Sequence, residues 1–546
     1  MEKITTDIAS FENLRKDGYV YVDKTDLLWR LASSQEGRQF FISRPRRFGK
    51  SLMLSTLKCL FEGRRELFRG LKIEKKRWDW KKTYPVVMLN MADVKAPTVD
   101  KLRENLSDMV DGLVEEFGLG RVRKVSEPGK YLGNFFKALN AKIVGEGANG
   151  SQNPANAEVE SGIVVLVDEY DVPLQGFFGD RKSLLAVREM MHDFYLQLKN
   201  NEANIRFLML TGVTKLTKVS VFSGLNHLTD LTMKRKEYAA LLGYTPKEIA
   251  ANFPKRLDML ARKNKTDRKG ALKKILDWYD SYRFSHLSPA RVCNPISVGQ
   301  ALATGALQGY WVGTAVATLV MERIAAAGKA PDDFEGCTAT VDELDLCEAT
   351  ELPAKSLMYQ SGYLTIKGLS KTEVDGIGNP KLILGAPNHE VRGAIRDGWF
   401  NSIVKVPATE FDALVDVAKG QLAEGNVDGL VTETLYRIYA KIPPEWRIRS
   451  EADVKRHFRL FMEMLGAKVA AEEGSARGYA DAIIETKKFV WVFEFKFNKS
   501  TNAAIRQIRE KGYAAQYKGD KRPVTLVGIN FRTAKRNIDE PLFSAL

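Results

Sequence analysis

The chain has 546 residues, 44% of them hydrophobic and 28% charged, with a formal net charge of +15; that length suits about three or four domains with several apolar cores. No apolar stretch nears the ~20 residues that span a bilayer, and the mixed-charge opening MEKITTDIASFENLRKDGYVYVDKT lacks the apolar block of a secretory signal. Cys59, Cys293, Cys337 and Cys347 stand far apart without a CxxC pair, which argues against a disulfide scaffold or structural zinc site and leaves a reducing cytoplasm as the expected setting.

The positive charge is uneven. Between Arg38 and Lys82 there are 15 Lys and Arg against 4 Asp and Glu, a local +11; from Glu451 to Leu546 there are 18 against 12, or +6. Such faces attract nucleotides, DNA or RNA, although basic residues also serve solubility alone.

Gln39–Ser43 (QFFIS) is the first predicted strand. RPRRFGKSL (Arg44–Leu52) follows it and opens a helix through SLMLSTLKCLFEG. Gly49-Lys50-Ser51 is the second half of the Walker A pattern. Glycine lets backbone wrap phosphate, lysine neutralises the β- and γ-phosphates, and the serine hydroxyl helps hold Mg²⁺. Arg44 stands at the first-glycine position, and Arg46 and Arg47 fill the loop. The plain alternative for a bare GKS is a helix N-terminus.

Tyr84–Met91 and Gly162–Tyr170 read as further buried strands, separated by helix and by the Gly/Asn-rich stretch Gly145–Gly162, expected to be a surface loop. VVLVDEYD (Val164–Asp171) ends a strand in two acids, the Walker B arrangement: Asp168 to hold Mg²⁺, Glu169 to polarise the attacking water. Asn204–Val213 is a fourth strand, leading into LTGVTKL, where Thr211 or Thr214 sits to sense the γ-phosphate or serves only the turn; Lys215 is a weaker candidate. Buried strands separated by helices predict a parallel sheet covered on both faces.

Lys234 to Gly328 reads as mostly helical, with Gly309–Met321 a buried helix. The tetrad Asn264–Asp267 spells NKxD, a guanine-reading pattern, but it follows a charged amphipathic run rather than a buried strand, so GTP specificity is rejected. Glu335 to Val404 is mixed, with strand-like YLTIKG and KLILGA, and a helical stretch continues to about residue 440.

GYADAIIET (Gly478–Thr486) and FVWVFEFKF (Phe489–Phe497) predict a hairpin turning near Thr486–Lys488. Period two puts Glu494 and Lys496 on one face, and counting back from the turn sets Asp481 close to opposite Glu494. Paired carboxylates beside a lysine suit metal-assisted phosphodiester cleavage. Asp481 and Glu494 would bind Mg²⁺ or Mn²⁺, and Lys496 would orient or deprotonate water or stabilise phosphorane charge. Glu472 or Glu473 would support the metal, and Gln507, Lys511 and Tyr513 on the next helix would meet the site or the nucleic-acid backbone. A buried Glu–Lys ion pair and a solvated amphipathic helix are the plain alternatives.

FENLRKDGYVYVDKT, SRPRRFGKSLMLSTL, VVLVDEYDVPL, LTGVTKLTKVSVFSGLNHLTDLT and WYDSYRF, continued by CNPISV, YWVGT, SGYLTI and PNHEV, resemble the bacterial AAA-ATPase-like family. GYADAIIE, VFEFKF and QIREKGYAAQY resemble its fused PD-(D/E)XK nuclease-superfamily domain. The resemblance implies an α/β protein: a RecA-like P-loop parallel sheet over 1–233, a helical lid and mixed middle region over 234–404, a helical linker over 405–450 and a restriction-endonuclease-like α/β domain over 451–546. By motif, Lys50 and Ser51 take phosphate and Mg²⁺, Asp168 and Glu169 form Walker B, and Asp481, Glu494 and Lys496 form the nuclease triad. Tyr479 stands where such proteins often carry arginine, and Arg44 matches the family's own habit. The expected function is an ATP-driven nuclease acting on mobile or foreign nucleic acid, DNA ahead of RNA, with no membrane partner and with oligomerisation allowed. The alternatives are a nucleic-acid-binding NTPase whose nuclease-like domain does not cut, or an ATP-dependent signalling or scaffold protein.

Overall fold

The computed structural model describes residues 2–33, 37–148, 158–159, 162–215, 228–311, 320–321, 324, 329–345, 353–370, 381–404, 407–442, 448–470, 474–475 and 478–546. Glu472, Glu473, Cys347, most of the Gly/Asn-rich stretch and part of Gly309–Met321 lie outside them. The chain divides into two compact units, Met1–Val312 with Asp332–Arg392, and Gly313–Pro331 with Gly393–Leu546.

The first unit holds a five-stranded parallel sheet built from β1 (Gln39–Ser43), β2 (Val86–Asn90), β3 (Ile163–Asp168), β4 (Ile205–Gly212) and β5 (Thr229–Asp230), in the order β2-β3-β4-β1-β5. Every residue of β1 and β3 is buried; the apolar stretches 40–42 and 163–167 suit a sheet covered on both faces, and the buried polar residues Gln39, Ser43 and Asp168 stand at strand ends. Helix α1 (Lys50–Phe61) follows β1 and buries Met53, Leu54, Leu57, Leu60 and Phe61, the helical spacing of one apolar face. The Phe61 ring meets Phe207 of β4 at 4.9 Å, and Phe207 meets Phe40 of β1 at 5.6 Å, locking helix to sheet. Pro128–Ala148 is helical, so the helix runs on through the start of the expected loop at Gly145.

A helical cluster packs Ile249, Phe253, Leu257, Ile275, Tyr279, Val298 and Leu302 around Val22 of the N-terminal segment; it includes helix α2 (Pro295–Thr304). Asp267 is the N-cap of the helix Arg268–Tyr279, accepting from Gly270 N–H, which agrees with rejecting a guanine-reading role. YLTIKG and KLILGA supply the strands Thr365–Leu369 and Leu382–Gly385 of a small antiparallel sheet.

The second unit holds a six-stranded mixed sheet: β6 (Val469–Ala470), β7 (Ala482–Glu485), β8 (Val490–Phe497), β9 (Val524–Arg532), β10 (Asn537–Ile538) and β11 (Leu542–Ala545). β7 and β8 form the expected antiparallel hairpin, while β8 and β9 are parallel and joined through α4 (Thr501–Lys511). Val490 and Val492 face Ile505 and Ile508 of α4. On the other face, Phe493 and Phe495 pack at 4.6 and 4.9 Å on Phe458 of α3 (Glu451–Met464). Among the described residues, no helix is long and apolar enough to cross a membrane.

Candidate functional site

β4 lies between β1 and β3, so the loop after β1 and the acids after β3 reach the same carboxyl edge of the sheet, where open α/β folds bind ligands. Gly49 has φ 92°, a left-handed conformation that glycine adopts without strain, and it turns the chain directly into α1. Lys50 is 5% exposed, and its ammonium donates to the carbonyls of Arg44 and Pro45 at 3.0 and 3.1 Å. Burial pushes its pKa down, against the opposing pull of Asp168, Glu169 and Asp171. Glu169 sits at φ 51°, and burial raises its carboxyl above the ordinary range despite Lys50 nearby.

A cavity of about 220 Å³ opens here, lined by Arg46, Arg47, Gly49, Lys50, Ser51 and Glu169. Asp168 and Thr211 are buried and do not line it. Instead the Thr211 hydroxyl donates to Asp168, and the Thr214 hydroxyl donates to Asp171 at 2.5 Å. Arg46 reaches Gln175 Oε1 at 3.2 Å, and Arg47 donates to the Tyr310 carbonyl at 3.1 Å. Lys215 is paired with Asp230 and Asp345, away from the cavity. Arg44 is 1% exposed: it donates to the carbonyls of Ser43 and Thr232 at 2.9 Å and lies 4.2 Å over the Phe284 ring, a structural post rather than a cavity residue.

In the second unit, the β7–β8 pairing of Ala482 with Phe493 continues to set Asp481 opposite Glu494, and Asp481 Oδ2 accepts the Phe495 N–H at 2.8 Å. Glu494 and Lys496 are 1% and 5% exposed, and Lys496 donates to Glu494 Oε1 at 2.8 Å. Glu494 Oε2 is buried without a hydrogen-bond partner. Burial, reinforced by Asp481, raises the Glu494 pKa to about 7. Among the described residues, no group of three or more His, Cys, Asp or Glu side chains is arranged to hold a metal. Two carboxylates are still what Mg²⁺ accepts when water and phosphate complete its shell, and the orphaned Glu494 oxygen fits that need.

A family model described as "Predicted AAA-ATPase" matches residues 5–222, and one for the PD-(D/E)XK nuclease superfamily matches residues 449–541. An uncharacterized protein in the vnfD 5′ region of Azotobacter chroococcum mcd 1 is 30% identical over 550 residues, covering 98% of this chain and 98% of that protein. The chain belongs to this AAA-ATPase-like family, with a PD-(D/E)XK domain at its C-terminal end.

Several residues at both candidate sites escape sequence reasoning. In the first unit, Ile8, Ala9, Val20, Val22, Pro295 and Ile296 also line the cavity. In the PD-(D/E)XK domain, Lys455 of α3 lies 2.5 Å from Asp481 Oδ1 and 3.2 Å from Glu451 Oε1, and Glu451 is 4.0 Å from Lys496. The available signal was the i, i+4 pair Glu451–Lys455 on an amphipathic helix, which reads equally as a solvated ion pair. Gln507 bonds to the Tyr513 hydroxyl at 3.2 Å, and Tyr513 packs in the core with α4, so these two serve the domain's interior. Tyr479 is 60% exposed two residues before Asp481.

Proposed function

We propose that the AAA-ATPase-like domain binds and hydrolyses ATP and that the PD-(D/E)XK domain cleaves phosphodiester bonds of nucleic acid, DNA ahead of RNA, with a divalent metal. The observation that carries this reading is the convergence of Lys50, Ser51 and Glu169 on one cavity, backed by Asp168, on a parallel-sheet edge. Lys50 has spent its ammonium on two loop carbonyls, and a triphosphate offers it a far stronger anionic partner in a low-dielectric site. Ser51, which lines the cavity, is the direct oxygen donor for Mg²⁺, Asp168 behind it would hold the ion through water, and Glu169, with its raised proton affinity, is suited to take a proton from the attacking water.

In the C-terminal domain, Asp481 and Glu494 are the groups to hold Mg²⁺ or Mn²⁺, and the metal would supply Lewis-acid polarisation of the scissile phosphate. Lys496, fixed by Glu494 and the Phe495 carbonyl at 2.8 Å, is positioned to orient water or to balance charge that develops on phosphate. The net charge of +15 supports a polyanionic substrate.

ATP binding measured by calorimetry should be lost in Lys50→Ala, and plasmid nicking with Mn²⁺ should be lost in Glu494→Ala while ATP binding persists. Unchanged ATP affinity in Lys50→Ala rejects the phosphate-loop assignment. Equal nicking by wild type and Glu494→Ala rejects cleavage and leaves a nucleotide-dependent binding or scaffold protein.

A further inference from the structure

The C-terminal cluster contains more charge than a two-carboxylate metal site needs. Glu451, Asp481 and Glu494 meet Lys455 and Lys496, with Lys455 bridging Asp481 at 2.5 Å and Glu451 at 3.2 Å. Counted fully ionised, as a bound cation would hold them, three carboxylates against two ammonium groups leave one negative charge in excess. Adding a divalent cation to that set would overshoot neutrality, whereas withdrawing one lysine leaves two negative charges, which a divalent cation matches. The two lysines differ in their freedom to leave. Lys496 is 7% exposed at its side chain and rooted in the buried strand β8, while Lys455 is 34% exposed on the surface of α3. Glu494 Oε2, buried and unpartnered, is the acceptor that this arrangement leaves unsatisfied.

We propose that Lys455 is a resident counter-ion of the metal site: its ammonium neutralises Asp481 beside Glu494, and a divalent cation loads by displacing it. A nucleic-acid phosphate gives the displaced ammonium a new anionic partner, so metal and polyanion load cooperatively. This rests on the metal-dependent reading of the domain and assigns a role to a residue outside the Asp481, Glu494 and Lys496 set.

The test is Mn²⁺ titration of the full chain followed by electron paramagnetic resonance of unbound Mn²⁺, with Glu494→Gln as the blank for this site. Lys455→Met should bind Mn²⁺ about tenfold more tightly than wild type, and Lys455→Arg, which keeps the charge, should stay near wild type. A short DNA duplex should tighten Mn²⁺ binding in wild type and much less in Lys455→Met. Circular dichroism establishes that each variant is folded. Equal or weaker Mn²⁺ binding in folded Lys455→Met overturns the role of Lys455 alone. If neither wild type nor Lys455→Met binds Mn²⁺ above the blank, the metal-dependent reading falls with it.

Discussion

The hydroxyl of Thr211 donates to Asp168 Oδ1 across 2.6 Å, joining the ends of two adjacent strands, and the Glu169 N–H donates to the same oxygen at 3.0 Å. One carboxylate oxygen is therefore aimed by two neighbours before any ligand arrives. Thr211 is fully buried, so Thr211→Val removes a charge-assisted hydrogen bond with little change of volume. The expected cost is about 1–3 kcal/mol of stability. In an ATPase assay, kcat should fall more than KM rises, because Asp168 loses orientation rather than its charge. Thr211→Ser should recover most of both. A Thr211→Val protein with wild-type urea midpoint and wild-type kcat would remove Thr211 from the site's support.

Arg44 occupies the place where a phosphate loop of the GxxxxGK type carries glycine. Restoring that glycine looks like an improvement by sequence, and the structure says otherwise. Arg44 holds the Ser43 and Thr232 carbonyls and covers Phe284, and burial lowers its pKa to about 10. Arg44→Gly should open a cavity and orphan two carbonyls, costing about 2–4 kcal/mol by urea denaturation. Arg44→Met should recover part of the loss by refilling the space. ATP affinity should not improve in either, and tighter ATP binding in Arg44→Gly would show that the arginine obstructs the loop.

The strands were the legible part of this chain. QFFIS and VVLVD are apolar runs with one viable home, a sheet covered on both faces, and β1 and β3 are buried along their whole length. The Asp481–Glu494 juxtaposition was legible because a short turn fixes hairpin register. Long-range partners were not. Nothing local marks Ile8 or Ile296 as walls of the same cavity as Lys50, since that proximity is created by tertiary packing. Glu451 and Lys455 carry no local mark of the site either, because helix periodicity reports which face is apolar, not what approaches the polar one. Thr214 and Asp171 were hidden for a similar reason: a turn threonine and a buried acid become partners only when β3 and β4 are adjacent.

Asp171 follows the two acids of VVLVDEYD and invites a catalytic reading. It is fully buried, and it accepts from the N–H groups of Val213 and Thr214 at 3.2 and 2.8 Å, from the Thr214 hydroxyl at 2.5 Å and from Gln175 at 2.9 Å. Four donors converge on one carboxylate, which ties the end of β4 to the turn after β3. Asp171→Ala should leave those donors unpaired in the interior and cost about 3–5 kcal/mol, read as a large fall in the thermal midpoint. Asp171→Asn keeps the shape, offers one acceptor oxygen fewer and should fall between. A marginal midpoint shift in Asp171→Ala would refute the hub assignment.

His457 on α3 is 8% exposed and stacks on Trp399 at 5.4 Å with the ring planes 17° apart. Its Nδ1 is buried without a hydrogen-bond partner, and burial lowers its pKa from 6.5 to about 4, so the folded unit holds it neutral. The unfolded chain takes up the proton first as pH falls, so acid favours unfolding through this group. Its contribution is fully present above pH 6.5, shrinks as pH drops, and levels off below the folded value near 4. The total loss expected from this residue is about 3 kcal/mol. Other groups titrate in the same range, so the measurement is the difference between wild type and His457→Phe. Phenylalanine keeps an aromatic ring against Trp399 and has no proton to gain. Urea unfolding at about pH 7 and about pH 4.5 should show wild type losing more stability than His457→Phe by about 2–3 kcal/mol. Parallel losses in the two proteins would mean that His457 is solvated in the folded chain, and the acid sensitivity would have to arise elsewhere.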